Sequence, residues 1–372
     1  MPLTSLVEEL AALDPAFLGR LRERGFRPEQ LLAWASSLGG DPAARNRLTG
    51  VVEPVPAATL RDLRHADDLA ALGRAALREG RVAVCVLAGG MATRMGGVVK
   101  ALVEALPGRT FLDLRLAEIA TLRARGADVP LWLMTSEATD RPIREALAAH
   151  EDGRSAATFE QFVSLRLERD GGLFRVDGQP SVYATGHGDL PDALRRSGLL
   201  DAFLARGGRH VWISNLDNLG ARVDELVLGH HLASQAALTA EVVEKRAGDT
   251  GGGPVLLDGR VIIAENLRLP SSFDAARVPV FNTNTFLVDA AALANLAMPW
   301  TYLEVHKQVA GRTAVQFERL LGELTTALDT HLLCVPRDGT SSRFMPVKSH
   351  EDLATLAPLL AERMVGVSPT PL

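Results

Sequence analysis

Val82 Ala83 Val84 Cys85 Val86 Leu87 Ala88 Gly89 Gly90 Met91 Ala92 Thr93 Arg94 Met95 Gly96 Gly97 passes from an unbroken apolar run into a loop of glycines with one cation, and Lys100 follows. A short continuous apolar run that ends in glycine reads as a strand buried on both faces. Glycines directly after such a strand let backbone N–H groups converge on a phosphate chain without interference from Cβ. Gly-Gly alone also reads as a tight corner; Arg94 and Lys100 add positive charge that a plain corner does not need. No glycine is followed by Lys and then Ser or Thr, and there is no G-x-G-x-x-G, so neither a Walker A loop nor a dinucleotide fingerprint is present.

Outward from this loop the chain alternates. Thr110 Phe111 Leu112 Asp113 is an N-cap with an acidic residue three positions on, and Leu112, Leu116, Ile119 and Leu122 follow on one helical face. Leu131 to Thr135 reads as a second buried strand, Arg141 to Ala149 as a helix, and His210 to Ser214 as a third strand opening onto Asn215 Leu216 Asp217 Asn218. This alternation predicts a mostly parallel sheet flanked by helices, with ligands at the carboxyl ends of its strands. From Thr239 to Ala264 the pattern turns to strands, with Asp258 Gly259 as a tight-hairpin signal, so a mixed sheet is expected. Upstream, residues 1–80 show helical spacing, as in Leu60, Leu63, Leu69 and Leu72, broken at Gly39 to Pro42 and at Pro54 to Ala58, and are read as a helical extension. Residues 81–348 are read as the catalytic core and 349–372 as a short helical tail.

Composition bounds the function. With 40 Lys plus Arg against 45 Asp plus Glu, the net charge of -5 lacks the basic excess that a duplex-binding surface needs, so nucleic acid is not expected as a partner. Two cysteines, Cys85 and Cys334, both in apolar runs, cannot make a disulfide framework or a cysteine zinc site. No run approaches the ~18 apolar residues of a membrane span, and no basic flank precedes an apolar stretch at the N-terminus. A cytoplasmic protein with no membrane partner is expected; oligomeric state is not legible.

The loop resembles the L-x-G-G-x-G-T-R-x-G…K signature of sugar-nucleotide pyrophosphorylases, departing at Ala92 and in lacking a Pro before Lys100. It also resembles the L-A-G-G-x-S-x-R-M-G…K loop of molybdenum-cofactor guanylyltransferases, so the loop alone does not name the substrate. Thr185 Gly186 His187 Gly188 Asp189 resembles the P-G-H-G-D segment of UTP:glucose-1-phosphate uridylyltransferases, where N-acetylhexosamine enzymes carry an asparagine-containing glycine run. Ser214 to Gly220 is similar to their N-S-D-N-L-G, Glu241 to Gly252 to E-V-x-x-K…D-x-K-G-G with Thr250 in place of Lys, and Phe281 Asn282 Thr283 Asn284 Thr285 to F-N-T-N-N. Ser342 to Lys348 resembles R-F-L-P-V-K. Each of these also has a plainer reading: Gly186 to Asp189 as a surface turn, Asp217 as the cap of a helix starting near Val223, Lys348 as a solvated charge.

The resemblance runs in the family's order from Val82 to Lys348. It implies a Rossmann-like nucleotidyltransferase sheet, α/β, mixed and mostly parallel, and a reaction of UTP with a sugar 1-phosphate, glucose 1-phosphate foremost, giving a UDP-sugar and pyrophosphate. Transfer to another sugar 1-phosphate and a non-catalytic UDP-sugar sensor stay open beside it. It implies Leu87, Ala88, Gly89, Gly90, Gln161, Gly186 and Asn215 at the nucleotide, and His187, Asn215, Gly252, Glu265, Asn282 and Asn284 at the sugar phosphate. Arg94, Lys100 and Lys348 are implied as the charge-balancing catalytic groups, and Asp217 as the ligand of Mg²⁺. The family's longer members add a left-handed β-helical domain, for which the 24 residues after Lys348 leave no room.

Overall fold

A computed structural model describes residues 3–150, 153, 155–249 and 251–365. Its centre is an eight-stranded sheet: β1 (Leu60–Asp62), β2 (Val82–Leu87), β3 (Leu131–Thr135), β4 (Ala156–Glu160), β5 (His210–Asn215), β6 (Leu238–Glu244), β7 (Val280–Asp289) and β8 (Thr330–Cys334). The spatial order is β1-β8-β6-β7-β5-β2-β3-β4. β7 runs antiparallel to both its neighbours, and every other pairing is parallel. The mixed, mostly parallel α/β sheet expected from the alternation is therefore present, and the strands read at Val82, Leu131 and His210 form its β5-β2-β3 core.

The unbroken apolar runs follow from burial on both faces. Along β2, Val82, Val84 and Val86 enter one hydrophobic cluster with helices Asp67–Arg78 and Phe111–Ala124, while Ala83 and Cys85 enter the other with helices Leu190–Arg196 and Leu199–Ala205. Helix Phe111–Ala124 opens with the expected capping box: Thr110 Oγ1 accepts from the Asp113 N–H at 3.2 Å, and Asp113 Oδ2 accepts from the Thr110 N–H at 2.7 Å. Asp258 and Gly259, both at positive φ, turn the hairpin Gly253–Leu257 to Arg260–Ala264.

The segment before Val82 is not wholly helical. Helices Leu3–Ala11, Pro15–Glu23 and Pro28–Ser37 are there, but Val52–Pro54 adds a strand to the Asp258 hairpin and Leu60–Asp62 pairs with β8 in the central sheet. Leu60 and Leu63 thus belong to a strand and its exit, and the helical spacing resumes only at Asp67. A three-residue strand is too short to show alternation. The first helices pack through Leu6, Leu10, Leu31 and Trp34 onto Leu165, Val315 and Phe317. Of the expected C-terminal helix, His350–Val365 is described and 366–372 lies outside the described residues, as does Thr250.

At the amino ends of the strands three histidines meet. His231 Nε2 lies 3.2 Å from His210 Nδ1 and His231 Nδ1 2.8 Å from Thr239 Oγ1, with His331 close by. Burial lowers all three, and burial together with the neighbouring imidazoles brings His231 down to about 3. Folded pKa values below the unfolded ~6.5 mean that the unfolded chain binds more protons, so this stability is present above pH ~6.5 and lost as pH falls below it. For His231 the loss between pH 6.5 and 5 is about 2 kcal/mol. Thermal melts across that window should show a falling Tm, with a shallower slope in His231→Gln; equal slopes would remove His231 from the acid response.

Candidate active site

β2, β3 and β5 run parallel, so their carboxyl ends open at one edge of the sheet. Asn215, last in β5, lies beside Leu87, last in β2. The Ala88 N–H donates to the Met134 carbonyl at 2.8 Å, and Ser136 Oγ donates to the Gly89 carbonyl at 2.9 Å, fixing the start of the glycine loop. A Cβ at Gly89 would meet the Gln161 side-chain amide, so a larger residue there would push that amide aside. Met91–Ala92 pairs with Val98–Val99, which folds the loop back until the Lys100 N–H donates to the Gly90 carbonyl at 3.2 Å. Arg94 is exposed on the loop and makes no ion pair among the described residues.

Lys100 Nζ sits 2.6 Å from Asp217 Oδ2, with both side chains largely shielded. Asp217 is not the helix cap that its position also allowed: helix Glu225–Ser234 is capped by Asp224, whose Oδ1 accepts from Leu226 and Val227. Lys348 comes to the same place from the far end of the chain. Asn218 bridges Pro346, and the Val347 N–H donates to the Asp217 carbonyl at 3.0 Å. Lys348 itself is exposed, its backbone N–H capped by Asp352 Oδ2 at 2.7 Å.

Thr185 to Asp189 forms the next wall. The Thr185 N–H donates to the Phe162 carbonyl, one residue beyond Gln161, at 3.1 Å, and Gly186 at φ 105° lies against the Arg319 backbone, where a Cβ would clash. His187 Nδ1 accepts the Leu321 N–H at 2.9 Å, which leaves the ring proton on Nε2, and burial lowers its pKa to about 4. The ring is therefore a neutral hydrogen-bond donor at ordinary pH.

The remaining residues gather on β7 and the hairpin beside it. Asn284 Nδ2 donates to Asn215 Oδ1 at 2.9 Å, the Asn284 N–H to Asn282 Oδ1 at 3.1 Å, and the Asn282 N–H to the Gly252 carbonyl at 2.9 Å. The Gly252 N–H faces the Glu265 carboxylate, whose pKa burial raises. A break in the β6–β7 register after Glu241, with Asn284 at φ 57°, turns the asparagines toward Asn215. Thr285, which departs from the resembled motif, is fully buried.

Apart from Arg94, which is exposed on the glycine loop, the residues implied by the resemblance thus lie along one connected edge: Leu87 to Gly90 with Gln161, Gly186 and His187 on one side, Asn215 with Asn282, Asn284, Gly252 and Glu265 on the other, and Lys100, Asp217 and the backbone at Lys348 between. What motif reading missed are the buried arginines that hold these loops. Arg115 donates to the carbonyls of Asn218 at 2.8 Å, Ala221 at 3.0 Å and Asn215 at 3.3 Å, and Arg319 pairs with Asp189 and Asp192. Arg115 and Glu118 on the apolar face of an amphipathic helix were the available signal. Among the described residues no group of three His, Cys, Asp or Glu side chains is placed to hold a metal ion.

A glycine loop, a carboxylate and cations thus meet at the carboxyl edge of a mixed α/β sheet. Residues 48–363 match the UTP--glucose-1-phosphate uridylyltransferase family, and the chain belongs to it. The UTP--glucose-1-phosphate uridylyltransferase of Musa acuminata is 33% identical over 293 residues, covering 73% of this chain and 62% of that protein; this chain spans less than two thirds of its relative's length. In fold it is similar to the UDP-glucose phosphorylase of Trypanosoma brucei, with TM-score 0.74 at 24% identity, covering 95% of this chain and 78% of the other. It is likewise similar to a UDP-glucose pyrophosphorylase mutant from Leishmania major in complex with UDP-glucose, with TM-score 0.73, 24% identity and the same coverage.

Proposed function

We propose that the chain forms UDP-glucose and pyrophosphate from UTP and glucose 1-phosphate. The observation that carries the reading is the junction, at one sheet edge, of Gly90 and Lys100 of the glycine loop with Asp217 and the Lys348 segment, three stretches far apart in sequence. Gly89 and Gly90 N–H groups with Arg94 hold the triphosphate, and Gln161 and Gly186 bound the uracil. An oxygen of the sugar phosphate attacks the α-phosphorus in line, and the bond from that phosphorus to the bridging oxygen of the β-phosphate breaks. No hydroxyl proton has to be removed, so the task is alignment and charge neutralisation. His187 Nε2–H donates to the incoming phosphate, while Asn215, Asn282, Asn284, Gly252 and Glu265 orient the sugar.

One carboxylate and no preformed cage suit Mg²⁺, which takes one or two protein carboxylates and completes its shell with water and phosphate oxygens. Asp217 would hold it, and Lys100 would then turn from Asp217 to a phosphate oxygen. The bound ion neutralises charge on the phosphates. A reducing, cytoplasmic setting belongs to the same reading and is supported by two free cysteines, both pushed up in pKa by burial. No helix among the described residues is long and apolar enough to cross a membrane.

Incubation with UTP, Mg²⁺ and a panel of sugar 1-phosphates tests this. UDP-glucose and pyrophosphate should form fastest with glucose 1-phosphate and stop on chelation. Tight UDP-glucose binding without turnover would make the chain a sensor, and faster reaction with an N-acetylhexosamine phosphate would replace glucose.

A further inference from the structure

Asp189 is fully buried, and its carboxylate collects donors from three separate stretches of chain. Oδ2 accepts the Phe162 N–H at 2.9 Å and the Thr185 hydroxyl at 2.7 Å, and Oδ1 takes Arg319 Nε. The residue stands just before helix Leu190–Arg196, where an aspartate ordinarily caps, yet its side chain makes no capping bond. We propose that Asp189 is a positioning residue that fixes the spacing between Gln161 and Gly186, and through it the choice of uracil over cytosine.

Each donor holds a part of the base wall. Phe162 follows Gln161, and its backbone is gripped on both sides, the N–H by Asp189 and the carbonyl by the Thr185 N–H at 3.1 Å. Thr185 precedes Gly186 and is held twice more, through its hydroxyl by Asp189 and through its carbonyl by the Arg319 N–H at 2.9 Å. The Arg319 carbonyl in turn accepts the Gly188 N–H at 3.0 Å. One carboxylate thus joins the Gln161 stretch, the Gly186 stretch and the Arg319 backbone behind them. Three donors, one of them charged, call for a carboxylate: an asparagine has a single accepting oxygen and turns its own amide hydrogens toward the remaining donor.

The consequence falls on the base because uracil and cytosine share an outline and differ in which edge atoms donate. Uracil presents an N3–H donor and an O4 acceptor where cytosine presents an N3 acceptor and an amino donor. A side-chain amide and a backbone edge at a set spacing tell the two apart, since a site built for one hydrogen-bond pattern leaves its own polar groups unpaired against the other. If the spacing slackens, that difference shrinks. The inference rests on the placement of uracil at Gln161 and Gly186 in the reading above, and not on turnover.

UDP and CDP are the probes, because their binding is measured without reaction. Calorimetric titration of the full chain should give UDP about 10² or more tighter than CDP. Thr185→Val, which removes one bond to Asp189, and Asp189→Asn should each cut that ratio about tenfold, chiefly by weakening UDP, while Thr185→Ser keeps the hydroxyl and retains it. Should Asp189→Asn fail to fold, Thr185→Val decides. An unchanged ratio in Thr185→Val, or UDP and CDP weakened in equal measure, overturns the inference, because Asp189 would then hold the loop without setting the base. A native chain that forms UDP-glucose but binds the two nucleotides alike also overturns it and leaves the catalytic reading standing. Selective UDP binding by a native chain that forms no UDP-sugar, with the ratio lost in Thr185→Val, refutes the catalytic reading and upholds the role of Asp189.

Discussion

Lys348→Ala should lower kcat by ~10² or more while the fold and the melting temperature stay as they are. The size follows from what the reaction lacks. Two anions have to meet, and no protein nucleophile or base shares the work, so preorganised cations carry much of the barrier lowering; removal of one such group typically costs 10²–10³ in turnover. Lys100 cannot cover the loss: it pairs with Asp217 in the ligand-free protein, and once Asp217 holds the metal its ammonium is already committed to its own phosphate oxygen. Stability should not respond. Lys348 is exposed and its backbone N–H, not its side chain, makes the bond to Asp352, and exposed substitutions of this kind stay within about 0.5 kcal/mol. The effect should fall on kcat with KM for UTP nearly constant, since the charge matters most as the phosphates close together. Steady-state pyrophosphate release with a parallel melt checks this, and unchanged turnover would exclude Lys348 from the mechanism.

The parts of the fold that were legible in the sequence are those whose physics is local. Val82 to Leu87 announces a strand covered on both faces because every residue is apolar, Thr110 and Asp113 announce a helix start because a capping box spans only four residues, and Asp258 Gly259 announces a hairpin because both must take positive φ. Leu60–Asp62 was hidden because its membership of the sheet comes from β8, some 270 residues on, and not from its own pattern. The hairpin Leu303–Val309 to Arg312–Glu318 was missed for a related reason: its first strand, Leu Glu Val His Lys Gln Val, is half exposed and polar enough to pass for a loop.

The site divides in the same way. Residues that touch a ligand cluster in short motifs, and those motifs could be quoted; residues that hold the motifs in place do not cluster. Arg115 reaches carbonyls about a hundred positions away, and Arg319 meets Asp189 from 130 positions on. Only the fold says that Gly186 must be glycine because the Arg319 backbone passes behind it, or that His187 is held as a donor by the Leu321 N–H.

The second large effect belongs to one of these hidden supports. Glu241→Leu should destabilise the fold by about 3 kcal/mol, since it takes away the carboxylate that hydrogen-bonds the buried Arg343 guanidinium and leaves it only the more distant Asp224, 3.9 Å away. Glu241 is fully buried on β6 and takes Arg343 in a two-pronged pair, Nε to Oε2 at 2.8 Å and Nη2 to Oε1 at 2.7 Å, with Arg343 also over the Trp212 ring. A protein of ordinary stability has about 5–15 kcal/mol to lose, so urea unfolding should detect the change easily. Pairing Glu241→Leu with Arg343→Met removes both charges together, and replacing a buried ion pair by apolar groups is often neutral; the double variant should recover most of the stability. Activity should not follow it back. Arg343 Nη2 also holds the Arg222 carbonyl at 2.9 Å, and the Arg343 carbonyl accepts Asn218 Nδ2 at 3.1 Å, so this arginine spans the segment that carries Lys348 and the turn that carries Asp217. Stability regained with turnover still low would mean that the pair sets the distance between cation and carboxylate. A double variant as unstable as the single one would show instead that the buried charge is not what the fold responds to.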